Sequence, residues 1–300
     1  MKSLLAALAG LILPSAFAAE PMPVVASFSV LGDLVRQVGG DRVAVKTLVG
    51  ADADAHVFQP APTHLKTVAG AKVMVVNGLG FEGWMERLIK ASRFGGLVVV
   101  ASQGITPLKS ESSHDHAGHA GHEFDPHAWQ DLSVTRRYVV NIADGLSKAD
   151  PANGAYYQQR ASAYDQKLQE LEQWATQEIA KVPASRRKII TSHDAFAYLG
   201  RRFGIQFLAA QGMSTESDAS AGSVARLIRQ IRQEKVKTVF VENISNPKLI
   251  EQISRETGAS VGSRLYSDAL SSPSESAPNY LAMWRYNFST LLSAMKAAPN

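Results

Sequence analysis

The sequence predicts an α/β protein of two Rossmann-like lobes, each a parallel sheet flanked by helices, joined by one long backbone helix. Three observations predict it. From Pro23 onward, short runs rich in β-branched residues alternate with amphipathic stretches, the pattern of parallel sheets covered by helices. Tyr157, Ala161, Tyr164, Leu168, Leu171, Ala175 and Ile179 then recur at spacings of three and four, with neither Gly nor Pro before Pro183. After that stretch the alternation resumes, so the chain reads as two similar halves with a rod between them.

In the first half, 24–27, 43–49, 72–76 and 97–101 read as strands. The stretches 30–38, 64–69 and 82–91 read as helices, and Ser133 reads as the N-cap of a helix running to about 147. Asp150-Pro151 offers a cap with proline at the first helical position, opening a rod of about 30 residues and about 45 Å. Its Tyr and Ala positions suit packing on a sheet edge, which favours a connector over a coiled-coil partner surface. In the second half, 188–191, 206–209 and 238–241 read as strands and 261–265 as a weaker one, with helices at 194–203, 223–234, 246–257 and 277–297. The expected organisation is a signal peptide at 1–18, a lobe at 19–149 with a His-rich loop at 112–123, the linker helix at 150–182, and a second lobe at 183–300. A ligand site is expected in the cleft between the lobes, at the carboxyl ends of the strands.

Composition narrows the function. The 300 residues suit two domains of about 150 each. A hydrophobic share of 45% against 19% charged excludes a largely disordered chain. The chain has no cysteine, which excludes a disulfide scaffold, a thiolate metal site and a cysteine nucleophile. A formal charge of +4 over this length falls short of the basic stripe of a nucleic-acid binder, and none is expected as partner. Lys2, the apolar run 4–13, Pro14 and Ala16-Phe17-Ala18 follow secretory order, with cleavage expected after Ala18. With no cysteine beyond that point, the reading is a periplasmic protein without a lipid anchor.

Eight histidines carry most of the chemical information. His56 follows the strand ending near Val49, His127 precedes a helix in FDPHAW, and His193 follows KIITS directly. Asp268 occupies a fourth such position, in LYSDAL after the weak strand. Three imidazoles and one carboxylate make a tetrahedral set for Zn²⁺, whereas an oxygen-dominated set suits Mn²⁺. Gaps of 71, 66 and 75 residues match no local motif, so spacing alone leaves a shared site and scattered histidines both open. His114, His116, His119 and His122 sit in SSHDHAGHAGHE, whose Ala and Gly spacers build no core and suit exchangeable metal contact. His64 opens a helix and reads as exposed or capping. Glu242 ends a strand in FVENISNP, where it can orient a ligand imidazole or hold loop backbone, and Asp125 is a further acid near the cleft. Trp129 reads as a wall of the site or as plain core. No HExxH, GxSxG or GxxxxGK[ST] string occurs, and Asp268 would close the position that catalytic zinc keeps open, so no enzyme is expected.

Six segments, HVFQPAP, DPHAW, the long helix, SHDAFAYL, VFVENISNP and LYSDALS, resemble in order the metal-binding solute-binding proteins of ABC importers, the cluster A-I family of the ZnuA and AztC type. The resemblance spans essentially the whole chain after residue 18. It implies that His56, His127, His193 and Asp268 are the metal ligands. Manganese members usually place Glu where His193 stands, so the resemblance implies zinc, with a manganese carrier and a secreted zinc hydrolase as the alternatives. It also implies an inner-membrane permease as partner, a single-chain monomer, and a His-rich loop that captures zinc or takes it from a periplasmic chaperone. Ala55 and Gln59 depart from the Pro and Glu common at those positions.

Overall fold

The computed structural model describes residues 20–110 and 123–297. The expected signal peptide and His114, His116, His119 and His122 lie outside the described residues.

The first sheet contains β1 (Met22–Phe28), β2 (Val43–Val49), β3 (Val73–Val76) and β4 (Leu97–Val100), all parallel, in the order β2-β1-β3-β4. The second contains β5 (Lys188–Thr191), β6 (Gln206–Ala209), β7 (Thr238–Val239) and β8 (Ser260–Val261), all parallel, in the order β6-β5-β7-β8. The two sheets thus share one topology, with the strand order reversing beside β1 in one and beside β5 in the other. Parallel neighbours need crossovers, and helices supply them. In the first half these are α1 (Ser29–Gly39), α2 (Pro62–Ala69) and α3 (Met85–Ser92), followed by α4 (Leu132–Ala149). In the second they are α6 (Ala197–Phe203), α7 (Ala221–Glu234) and α8 (Lys248–Thr257), and the chain closes with α9 (Tyr280–Ala297).

The connector α5 (Gly154–Ile179) buries the seven residues whose spacing announced it. At 26 residues it is about 39 Å long, shorter than expected at both ends. Pro151–Asn153 form a 3₁₀ turn instead of the first helical turn, because Asp150 Oδ2 accepts from both Asn153 Nδ2 and Tyr157 Oη, each at 2.7 Å. At the other end the Arg187 guanidinium donates to the carbonyls of Ile179 and Val182 and stops the helix. The expectation of a sheet-edge contact is corrected too: α5 packs chiefly on helices α1, α4 and α9.

Other helix starts shift for identifiable reasons. Asp131 rather than Ser133 caps α4, accepting from Ser133 N at 2.8 Å. Glu82 is drawn out of α3 and buried, accepting from Ser27 Oγ and Asn77 N at 2.6 Å each. The start of α9 borrows its cap from α1, since Tyr280 N donates to Asp33 Oδ2 at 2.8 Å. One apolar core runs from β1 and β3 through α1, α4, α5 and α9 to β5 and α6, and a smaller one lies between β5, β7, α7 and α8.

Leu168 is fully buried at the middle of α5. Leu168→Ala is expected to cost about 2–5 kcal/mol, as large-to-small core changes do, measured by denaturant unfolding of the metal-free protein. Lys167→Ala, on the exposed face next to it, should stay near wild type.

Candidate metal centre

His56, His127, His193 and Asp268 come from four separate segments and meet in one buried cluster. One donor atom from each lies within 4.8 Å of every other. Asp268 Oδ2 stands 3.0 Å from His56 Nε2, 3.2 Å from His193 Nε2 and 3.6 Å from His127 Nε2. A tetrahedron with donor bonds of about 2.0–2.1 Å has edges of about 3.3 Å, so these spacings fit a small divalent cation. His127 Nε2, which faces into the cluster, is buried without a hydrogen-bond partner in the protein, which a cation would satisfy.

Each side chain is delivered by backbone that has just left a strand or is about to enter a helix. His56 lies in the loop after β2, where its N–H donates to Asp54 Oδ1 at 2.9 Å and Ala55 O accepts from Trp84 Nε1 at 2.8 Å. The loop is therefore pinned although Ala55 replaces the usual proline. Asp54 Oδ2 also accepts from Thr215 Oγ1 of the second lobe at 2.6 Å. These two residues, with Gln211, Asp218 and Lys248, line an open polar cavity of about 380 Å³. His127 precedes the short 3₁₀ turn Ala128–Gln130, and His193 lies two residues past β5. Asp268 follows a single parallel bridge between Glu242 and Leu265, which extends the second sheet by one rung.

Carboxylates stand behind two of the imidazoles. Asp125 Oδ1 is 2.8 Å from His127 Nδ1 and also accepts from His127 N at 2.9 Å. Glu242 Oε2 is 2.5 Å from His193 Nδ1, and Glu242 Oε1 accepts from His193 N at 2.9 Å. Such partners fix which ring nitrogen faces inward and strengthen it as a ligand. Glu242 therefore does both things the sequence left open, orienting the ring and holding loop backbone. The matching role of Asp125 was not read from sequence, although its place two residues before His127 was the available signal.

The electrostatics follow from burial against charge. Burial opposes a charged His127, but Asp268 and Asp125 outweigh it and push the imidazole up to about 9. For His193, burial is likewise overcome by Glu242 and Asp268, and its pKa rises well above the usual histidine range. Burial would raise the Asp268 carboxyl, yet His127 and His193 hold it well below the usual carboxylate range. Aromatic rings seal the cluster: Phe81 lies 4.8 Å from the His56 ring centroid, and Trp129 lies 5.3 Å from that of His127. His64 stays outside, its Nδ1 accepting from Ala61 N at 2.8 Å as a helix cap.

Comparison with known proteins gives the family and the fold. The family model described as zinc-uptake complex component A, periplasmic (ZnuA), matches residues 24–294. The manganese-binding lipoprotein MntA of Halalkalibacterium halodurans is 30% identical over 276 residues, covering 92% of this chain and 89% of that protein. The zinc-binding protein TroA of Treponema pallidum is 30% identical over 284 residues, covering 93% and 90%. The solved structure of TroA superposes with a TM-score of 0.83 at 29% identity, over 92% of this chain and 99% of that one. A manganese-bound mutant of a periplasmic metal-binding protein from Candidatus Liberibacter asiaticus gives 0.81 at 30% identity, over 91% and 98%.

These names correct one expectation. MntA is named a lipoprotein, as are its Bacillus subtilis counterpart and PsaA of Streptococcus pneumoniae, against the reading of a protein without a lipid anchor. That reading took the absence of a cysteine as positive evidence of a free protein, which it is not. In fold and in sequence similarity alike, the chain belongs to the ZnuA family, the metal-binding substrate-binding proteins of ABC transporters.

Proposed function

We propose that the chain captures Zn²⁺ with His56, His127, His193 and Asp268 and hands it to the membrane permease of its importer. The observation that carries this reading is the donor set: three imidazole nitrogens and one carboxylate oxygen within 4.8 Å, all buried. Such a nitrogen-rich, four-donor set suits tetrahedral zinc, whereas manganese prefers a larger oxygen-dominated shell. The carboxylates behind His127 and His193 support it, because ligand histidines regularly have such partners. The zinc-binding name of TroA accords with this choice, and the manganese-binding name of MntA supplies the competing ion for the test. In this reading the His-rich segment feeds the buried site and is not part of it.

Metal analysis after chelation and reloading is expected to give one tightly held zinc per chain, which Asp268→Ala still binds but far more weakly. A preference for manganese would overturn the zinc assignment. His193→Ala should lower zinc affinity at least about 100-fold, since loss of even an outer partner costs roughly 10- to 100-fold. Deletion of residues 114–122 should cost far less in the same chelator competition, and equal losses would refute the assignment.

Protons are the competing ligand, and their sign can be worked out. The His127 pKa is raised in the folded metal-free protein to about 9, against about 6.5 unfolded. Its charged form therefore stabilises the metal-free fold fully below about pH 6.5, and that contribution is lost as pH rises through about 9. Zinc needs the neutral ring, so affinity should climb by at least about tenfold per pH unit between about 7 and 8.5, with proton release detectable by calorimetry in buffers of different ionisation heat. An affinity already flat above about pH 7, where an ordinary histidine is neutral, would contradict it.

A further inference from the structure

Asp268 belongs by sequence to the second half of the chain, yet the backbone that carries it is fastened to the first lobe. Leu265 is the last residue held by the second sheet, through its N–H to Val241 O and its carbonyl to Asn243 N. Tyr266 is then held at both backbone groups by the amide side chain of Asn287 in α9. From there the partners change. Ser267 O accepts from Trp129 Nε1 at 3.0 Å and from Gln130 Nε2 at 2.8 Å. Leu270 N donates to Ser29 Oγ at 2.9 Å, and Leu270 O accepts from Asp52 N at 2.9 Å. Asn243 of the second lobe donates from Nδ2 to Ala269 O, and the same side chain also reaches Asp52 Oδ1.

Trp129 and Gln130 are two and three residues past His127, so the clamp and that histidine share one short buried segment. Both clamp residues are fully buried, and their own carbonyls are fixed: Trp129 O accepts from Tyr280 Oη, and Gln130 O from Trp284 Nε1. His193 has the opposite allegiance, since its backbone and ring are both tied to Glu242 of the second lobe.

We infer that Trp129 and Gln130 are positioning residues for Asp268, and that through the carbonyl of Ser267 they build a three-donor half-site, His56, His127 and Asp268, on the first lobe, leaving His193 as the single donor carried by the second. The inference rests on the reading of these four residues as zinc ligands. A carbonyl that accepts two buried N–H groups sets the direction of the following peptide, and so sets where the Asp268 carboxylate can point. The indole and the amide touch no metal; their effect on affinity has to pass through Asp268.

A double-mutant cycle tests this with zinc as the probe and chelator competition as the readout. Gln130→Met keeps the volume and removes the donor. It is expected to weaken zinc binding about tenfold in the wild-type background and about tenfold again in His193→Ala, but less than twofold in Asp268→Ala, where the carboxylate it positions is gone. An equal loss in the Asp268→Ala background would overturn the inference, as would unchanged zinc affinity in wild type. Trp129→Phe, which keeps the ring and removes only the N–H, provides the same cycle if Gln130→Met fails to fold, as judged by thermal unfolding of the metal-free protein. A merely structural role predicts a lower melting temperature with additive affinity losses. A wild-type chain that binds no zinc would instead overturn the reading of the site itself, and the unmutated control makes that failure distinguishable.

Discussion

Asp268 places a carboxylate where no water reaches it, and the surrounding architecture compensates for that one group. An unpaired carboxylate at full burial costs several kcal/mol, so it persists only with compensation close by. Three imidazoles provide it from 3.0 to 3.6 Å. Burial penalises their charge as well, and the acids Asp125 and Glu242 stand behind two of the rings. In the metal-free protein His127 and His193 both favour the protonated form. Two imidazolium charges then carry the same total charge as one divalent cation. Exchange of two protons for the divalent ion proposed for this site would leave the buried charge unchanged.

Convergence of four distant segments comes from the sheets. The two share one strand order, and their carboxyl ends meet at the cleft, where ligands of open α/β sheets bind. Loop backbone is then pinned locally, so little order is left to be gained on binding. Asp54 holds the amide of His56 and is itself held by Thr215, Asn77 Nδ2 donates to Pro126 O one residue before His127, and the Tyr198 hydroxyl bridges Leu108 N and Asp125 O across the lobes. A site held in place beforehand gives more of its interaction energy to affinity.

Elements governed by their own composition were legible in the sequence. The strands at 43–49, 188–191 and 206–209 emerge at the same residues, because β-branched and apolar runs bounded by turns carry a local signal. The seven buried positions of α5 are those of the three-and-four repeat, and so is its role as connector. Elements whose ends depend on remote partners were not legible. Nothing near Tyr280 announces that Asp33 will cap its helix, and nothing near Glu82 announces that Ser27 and Asn77 will take it from α3. The four-residue cluster has the same character. Gaps of 66 to 75 residues have no period, so its members were found by the kind of position each occupies and by family resemblance, and the clamp on Ser267 by neither.

The packing also sets what a relative movement of the lobes would cost. The main core is continuous from β1 through α5 and α9 to β5 and α6, with Trp284, Phe288, Tyr157 and Phe196 almost wholly buried along it. Swinging the lobes apart about the ends of α5 would expose that surface to water, at roughly 25 cal/mol for each Å² of apolar area. The smaller core of Ile190, Leu227, Ile231, Val239, Ile250 and Ile253 is a separate cluster that carries α7, α8 and β7. Glu242 and Asn243 follow β7, whose Val239 lies in the smaller core while Phe240 beside it lies in the larger. The backbone on either side of Asp268 is bonded to the first lobe, Ser267 O by Trp129 and Gln130 and Leu270 by Ser29 and Asp52, and Leu265, Tyr266 and Leu270 lie in the larger core. Core membership therefore does not separate the four side chains, since β5 and α6, which flank His193, belong to the larger core as well; the division inferred above runs through the hydrogen bonds of the backbone, between His193, tied to Glu242, and the segment of Asp268, tied to Trp129 and Gln130.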